Sequence, residues 1–277
     1  MILKGALGAL ASVVFASPCR ICGEALTNAS RIPICEKCLD GFEKIVEPMC
    51  AGCGRPFATA GAGAVGSPLC RLCRVGFYGF DRARSFAIYD EALAEAVLLL
   101  KYQELARLGD WFAERLAGVV SRMPAEWRAD LVVPIPLHAD RRRERGYNQA
   151  ELIARPLADR LGIPFNSRIL VRTKPRPAQL VLSRTEHWKS VRGAYAIRPA
   201  ANVDNVRVLL VDDVLTTGAT LDAGARVLKK AGTATVLGLT VGRVRSGLPP
   251  PASVLKRKKP NGKPEGSVEH LYYQGTV

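Results

Sequence analysis

The stretch Val208-Leu209-Leu210-Val211-Asp212-Asp213-Val214-Leu215-Thr216-Thr217-Gly218-Ala219-Thr220 decides the fold. Its apolar run, Val208 to Val211, reads as a strand covered on both faces, because a buried parallel strand loses the alternation of a half-exposed one. Two carboxylates follow at the strand's C-terminal end, where open α/β sheets place their ligands. The small and hydroxylated run Thr216–Thr220 then opens a helix, whose first N–H groups and dipole suit a phosphate. Carboxylates accept hydrogen bonds from sugar hydroxyls and do not hold phosphate. An acid pair beside a phosphate cradle therefore asks for a ribose 5-phosphate. Asp212 and Asp213 would take the 2′ and 3′ hydroxyls, and Thr216, Thr217, Gly218, Ala219 and Thr220 the 5-phosphate.

Outward from this stretch, Leu221, Ala225 and Leu228 give one apolar helix face, Lys229 and Lys230 suit its C-terminal end, and Gly232 suits its cap. Ala234–Val241 is the next expected strand. Upstream, Arg84–Tyr89 is strand-like, and Glu91–Val120 carries two helical patterns with a break near Gly109. Leu131–Pro136 is a strand whose prolines place its end at a loop. Asn148–Leu161 is a helix with Ile153, Ala154, Leu157 and Leu161 on one face. Pro156 lies inside it, where a bend costing ~3 kcal/mol is expected. Strands alternating with helices give an α/β class, a parallel sheet flanked by helices.

All eight cysteines fall in four C-x-x-C pairs: Cys19/Cys22, Cys35/Cys38, Cys50/Cys53 and Cys70/Cys73. Two-residue loops let thiolates converge on one ion, and a structural zinc takes four ligands, so eight thiols satisfy two zinc ions. Gly23 and Gly54 follow two of the pairs, as the tight knuckle turn requires. Sequential pairing is the simplest arrangement, and an interleaved one stays open. A disulfide framework belongs to secreted chains and fits poorly beside a nucleotide-type motif. A closed four-thiolate site is structural, since it leaves no position for substrate.

The 277 residues carry a formal net charge of +15. Between Asp140 and Arg192, thirteen Lys/Arg stand against five Asp/Glu, a surplus that suits polyanions or simply a solvated basic surface. No apolar run reaches the ~18 residues of a membrane span. Met1–Ser17 reads as a short amphipathic helix rather than a secretory signal, which places the protein in the cytoplasm. The expected division is an N-terminal helix and zinc-binding domain at 1–78, an α/β domain at 79–245, and a disordered basic tail at 246–277.

The Val208–Thr220 segment resembles the phosphoribosyl pyrophosphate (PRPP) signature of type I phosphoribosyltransferases. With four C-x-x-C pairs ahead of it, the chain resembles the ComF family, a double zinc ribbon fused to a phosphoribosyltransferase-like domain. Leu100-Lys101-Tyr102, Val133–Leu137, Arg145-Gly146-Tyr147-Asn148-Gln149-Ala150, Gln179 and the Arg184–Tyr195 segment carry the resemblance further. The resemblance implies PRPP binding with magnesium and a role in natural competence, handling internalised single-stranded DNA beside competence-machinery proteins. It favours a phosphoribosyltransferase of unnamed acceptor. The alternative is a non-catalytic module that binds single-stranded DNA or a partner, or senses PRPP. Pyrophosphate would lie near Pro136, Leu137 and His138. Arg141, Arg142, Arg143 and Arg145 would clamp it from a mobile loop or hold a nucleic-acid backbone, and Arg145 and Asn148 belong to the family motif. Two positions depart from the family: His187 and Ser190 stand where it carries Arg and Asn.

Overall fold

The computed structural model describes residues 18–26, 32–57, 68–102, 105–175, 183–199 and 201–245. The expected N-terminal helix, the Gly/Ala-rich stretch at 58–67, Gln179 and the tail at 246–277 lie outside the described residues.

Two short helices, α1 (Glu36–Asp40) and α2 (Arg71–Arg74), belong to the cysteine-rich part. Then follow β1 (Arg82–Ile88), α3 (Glu91–Tyr102), α4 (Ala106–Val120), β2 (Leu131–Pro134), α5 (Ala139–Arg145) and α6 (Gln149–Leu161). Among the described residues there follow β3 (Leu170–Arg172), α7 (Arg184–Val191), β4 (Tyr195–Ile197), β5 (Arg207–Leu215), α8 (Ala219–Lys230) and β6 (Thr235–Arg243). The main sheet is four-stranded in the order β1-β6-β5-β2, every pair parallel, and β3 and β4 form a separate antiparallel pair.

Period-two alternation along β5 divides the core between the two faces of the sheet. Leu209 and Val211 join Phe86, Leu116, Ile153 and Leu157 on one side, while Val208 and Leu210 join Leu221, Ala225 and Leu228 on the other. The same alternation carries on into the acids, sending Asp212 and Asp213 to opposite faces.

Two helical expectations are corrected. The break between α3 and α4 precedes Ala106, and Gly109 lies buried inside α4. A Cβ there would stand 2.7 Å from the Leu152 carbonyl oxygen, so glycine lets α4 approach α6 closely. That carbonyl is the one Pro156, lacking an N–H, cannot serve. The bare backbone of Gly109 packs against it, and α6 runs unbroken through Pro156. The second correction concerns Arg141, Arg142, Arg143 and Arg145, which stand on α5 rather than on a loop. The sequence ADRRRER has no apolar stripe to announce a helix. Its ends are set by His138 as N-cap and by left-handed Gly146 as C-cap.

Candidate functional site

The C-terminal ends of β5 and β2 lie side by side, with the Ile135 N–H donating to the Val211 carbonyl at 2.8 Å. Asp212 and Asp213 stand at this edge, 7% and 6% exposed. Asp212 Oδ1 accepts the Asp213 N–H at 2.9 Å, and Asp213 Oδ1 accepts the Val214 N–H at 2.7 Å. From α3, Lys101 Nζ reaches Asp213 Oδ2 at 2.7 Å, and from α6, Gln149 Nε2 donates to the same oxygen at 3.3 Å. Arg145 donates to Gln149 Oε1 and lies 5.3 Å from the Tyr102 ring centroid.

These contacts make the two acids unlike. Burial and the adjoining Asp213 charge push the Asp212 carboxyl well above the ordinary range. Burial would raise Asp213 too, but the Lys101 ammonium outweighs it and holds that carboxyl below its usual value. Burial alone would depress Lys101; the Asp213 charge overrides it and raises the ammonium.

The turn after β5 is formed by Gly218, left-handed at φ +86°, which begins α8 without a side-chain cap. A Cβ at Gly218 would meet the Tyr78 ring at 2.7 Å. The Tyr78 hydroxyl donates to the Thr217 carbonyl at 3.4 Å, and Thr217 Oγ1 accepts the Ala219 N–H at 3.2 Å. His187 Nδ1, from α7, lies 3.1 Å from that same hydroxyl. Asp212, Thr216, Gly218 and Thr220 line a cavity of about 10 Å³, room for one water-sized group.

The structure gives other expected residues mainly positioning work. His138 caps α5, accepting the Asp140 N–H at 3.3 Å, and follows Pro136 and Leu137 in the turn after β2. Asn148 is 3% exposed; its amide donates to the Ile135 carbonyl at 2.9 Å while its oxygen caps α6 at Ala150. Of the arginines, Arg141, Arg142 and Arg143 pair with Glu144, Glu151 and Asp140. Arg145 alone of this group reaches the acid pair's surroundings, through Gln149. The Tyr147 hydroxyl donates to the buried Leu100 carbonyl at 2.9 Å, a packing role. Trp188 sits against the rings of Phe77 and Tyr78 at 4.9 and 6.4 Å. Reading the sequence alone missed the roles of Lys101, Gln149 and His187. Lys101 and Gln149 stood in quoted motifs without a role, and His187 was noted only as a departure.

The cysteines resolve into two groups, Cys19/Cys22/Cys35/Cys38 and Cys50/Cys53/Cys70/Cys73, the sulfurs of each within 4.8 Å of one another. Pairing is therefore sequential. The donor set fits zinc: four thiols converge, left-handed Gly23 and Gly54 close the knuckles, and backbone N–H groups point at sulfur. The Cys35 N–H donates to Cys19 Sγ at 3.3 Å and the Cys70 N–H to Cys50 Sγ at 3.2 Å. At the second group, Arg243 from the end of β6 donates to the Cys53 carbonyl at 2.6 Å and to its Sγ at 3.4 Å.

Residues 10–74 match the double zinc ribbon domain family, and residues 148–263 match the phosphoribosyl transferase domain family. The chain is 28% identical over 209 residues to competence protein F of Haemophilus influenzae, covering 72% of this chain and 91% of that protein. It is 29% identical to the DNA utilization protein YhgH of Salmonella typhimurium, covering 73% and 87% of the two chains. It is 26% identical to competence protein ComFC of Bacillus subtilis, covering 73% and 80%. No helix among the described residues is long and apolar enough to cross a membrane. In its homologues and in its domain order, a double zinc ribbon match followed by a phosphoribosyl transferase domain match, the chain resembles the competence protein F and ComFC proteins.

Proposed function

We propose that this chain binds a phosphoribosyl compound, PRPP in the first instance, together with magnesium. The observation that carries the reading is the convergence at the end of β5 of two buried acids and a left-handed glycine turn that opens α8. In this reading Asp212 and Asp213 receive the sugar hydroxyls. Thr216, Thr217, Gly218, Ala219 and Thr220 hold the 5-phosphate, which enters by displacing the His187–Thr217 contact. Pro136, Leu137 and His138 border the pyrophosphate, Asn148 fixes that turn against α6, and Arg145 contributes charge. Magnesium favours phosphate oxygens and retained waters, and would supply charge neutralisation on the pyrophosphate. Breaking the bond between the sugar's C1 and pyrophosphate leaves positive character on the sugar, which an ionised Asp213 nearby would stabilise.

The two cysteine groups would each hold a structural zinc. The division into 1–78, 79–245 and 246–277 follows the same reading, with the protein acting in the cytoplasm. The names of its relatives point to DNA handling during competence. The surplus of thirteen Lys/Arg over five Asp/Glu from Asp140 to Arg192 favours, as a second activity, contact with single-stranded DNA. Calorimetric titration of the zinc-loaded chain with PRPP and magnesium should give a saturable heat of binding, and its absence would remove the reading. Pyrophosphate release across a panel of bases and nucleotides would then separate a transferase from a binding module.

A further inference from the structure

Asp212 and Asp213 stand in different surroundings because successive strand residues face opposite sides of a sheet. Asp212 continues the face of Val208 and Leu210 and lines the cavity at the Thr216–Thr220 turn. Asp213 continues the face of Leu209 and Val211, where α3 and α6 deliver Lys101 and Gln149. Its two oxygens already accept from Lys101, Gln149 and the Val214 N–H, at 2.7, 3.3 and 2.7 Å. A carboxylate offers roughly four acceptor sites, so an arriving sugar hydroxyl competes for the last of them.

A buried carboxylate is retained only when paired, and Lys101 supplies the pairing at 2.7 Å. It stands on the last turn of α3 with its side chain 22% exposed, and it is followed by Tyr102, whose ring carries Arg145. Two cations from different elements therefore border Asp213 on the side away from the phosphate turn. A lysine stem is flexible, and its ammonium can change partners without moving the backbone.

We infer that Lys101 is a partner-exchanging residue: it neutralises Asp213 in the ligand-free protein and passes to the diphosphate of an incoming ligand as a sugar hydroxyl takes its place. The inference rests on the phosphoribosyl reading of the site. No proton moves in the exchange; the ammonium stays charged throughout. The two halves of the ligand then meet opposite conditions. Ribose 5-phosphate has to displace the lysine, whereas a diphosphate recruits it.

The test uses the zinc-loaded full chain, with ribose 5-phosphate and magnesium pyrophosphate as separate calorimetric probes. In Lys101→Met, pyrophosphate affinity should fall about tenfold or more, the loss expected for one charge-assisted contact. Ribose 5-phosphate should bind at least as tightly as to the wild type. Lys101→Arg should keep pyrophosphate affinity within about threefold of the wild type, since its charge still reaches. Equal losses of both probes would reduce Lys101 to a packing role, and unchanged pyrophosphate affinity would leave it fixed on Asp213; either result overturns the inference. Should Lys101→Met fail to fold, the Lys101→Met/Asp213→Asn pair removes both buried charges. Its ratio of the two affinities, compared with that of Asp213→Asn, gives the same discrimination. Failure of ribose 5-phosphate to bind both wild type and Lys101→Met would instead defeat the phosphoribosyl reading itself.

Discussion

The first cysteine group packs beside α4, with Phe42 against Trp111 at 5.8 Å, and leaves Cys22 exposed. The second group is pressed onto β1 and β6 with Cys50 and Cys53 wholly buried. Its knuckle is joined to the sheet by the Ala83 N–H on the Gly52 carbonyl at 2.8 Å, and Arg84 and Arg243 reach it with their guanidinium groups. From there the chain leads through Tyr78 to the Gly218 turn and through Gly79, whose N–H donates to Asp222 on α8 at 2.6 Å. Similar C-x-x-C spacing thus supports two different mechanical roles. One ribbon packs against α4 and the end of β1, where the Ile45 N–H donates to the Phe86 carbonyl at 3.1 Å, and the other lies along β1 and β6 and leads on to the Gly218 turn.

Removing one thiol from each group gives the largest contrast. Cys22→Ala and Cys53→Ala should each lower zinc content by one ion in native mass spectrometry. Cys53→Ala should also destabilise the sheet domain by roughly 3–5 kcal/mol, because the buried Arg243 charge loses its thiolate-bearing partner. Cys22→Ala should cost that domain under about 1 kcal/mol, the usual limit for changes away from its core. Equal melting shifts for the two variants would erase the distinction.

A narrower test addresses the link between Tyr78 and the turn. Gly218→Ala must hold a left-handed backbone, at about 1–2 kcal/mol, and must push its methyl into the Tyr78 ring. The sheet should remain folded while PRPP affinity falls by more than that stability loss. If affinity is unchanged, the turn does not hold phosphate.

The smallest effect belongs at the N-terminal end of the sheet, where Asp130 and Arg207 pair. Hydrogen bonds from Arg207 lower the Asp130 carboxyl to about 2. A lowered folded value contributes stability that is complete above the unfolded value near 4 and lost as pH falls through about 2. Because the pair is well exposed, Asp130→Asn should cost under about 1 kcal/mol at neutral pH. The difference from wild type should shrink between about pH 4 and pH 2; a gap constant across that range would contradict the assignment.

This N-terminal end of the sheet also holds an apolar cavity of about 490 Å³ lined by Val120, Trp127, Leu161 and Leu209. The acids and the glycine turn lie at the other end, beside a far smaller space. Converging polar groups, rather than volume, locate the candidate chemistry.

What could be read in advance follows from the range of the forces involved. β5, its turn and α8 were legible because an apolar run, adjacent acids and a cap lie within one continuous stretch. The four cysteine pairs were legible as sets of converging thiols, and the grouping into Cys19/Cys22/Cys35/Cys38 and Cys50/Cys53/Cys70/Cys73 came from the fold. Lys101 and Gln149 reach Asp213 from two other helices, and His187 reaches Thr217 across 30 positions of sequence. No local pattern encodes such meetings. α5 stayed hidden because its residues are polar all round, and Gly109 misled because a glycine can mark close helix packing as readily as a helix end.

The central claim is that neighbouring acids at the end of β5 receive a sugar whose phosphate sits in the turn behind them. Calorimetric titration of PRPP with magnesium into wild type and Asp212→Asn/Asp213→Asn, both verified to be folded and zinc-loaded, tests it most directly. Saturable binding by the wild type, reduced at least about a hundredfold in the double variant as two buried charge-assisted contacts are lost, is the predicted result. Equal affinity in the two proteins would contradict it.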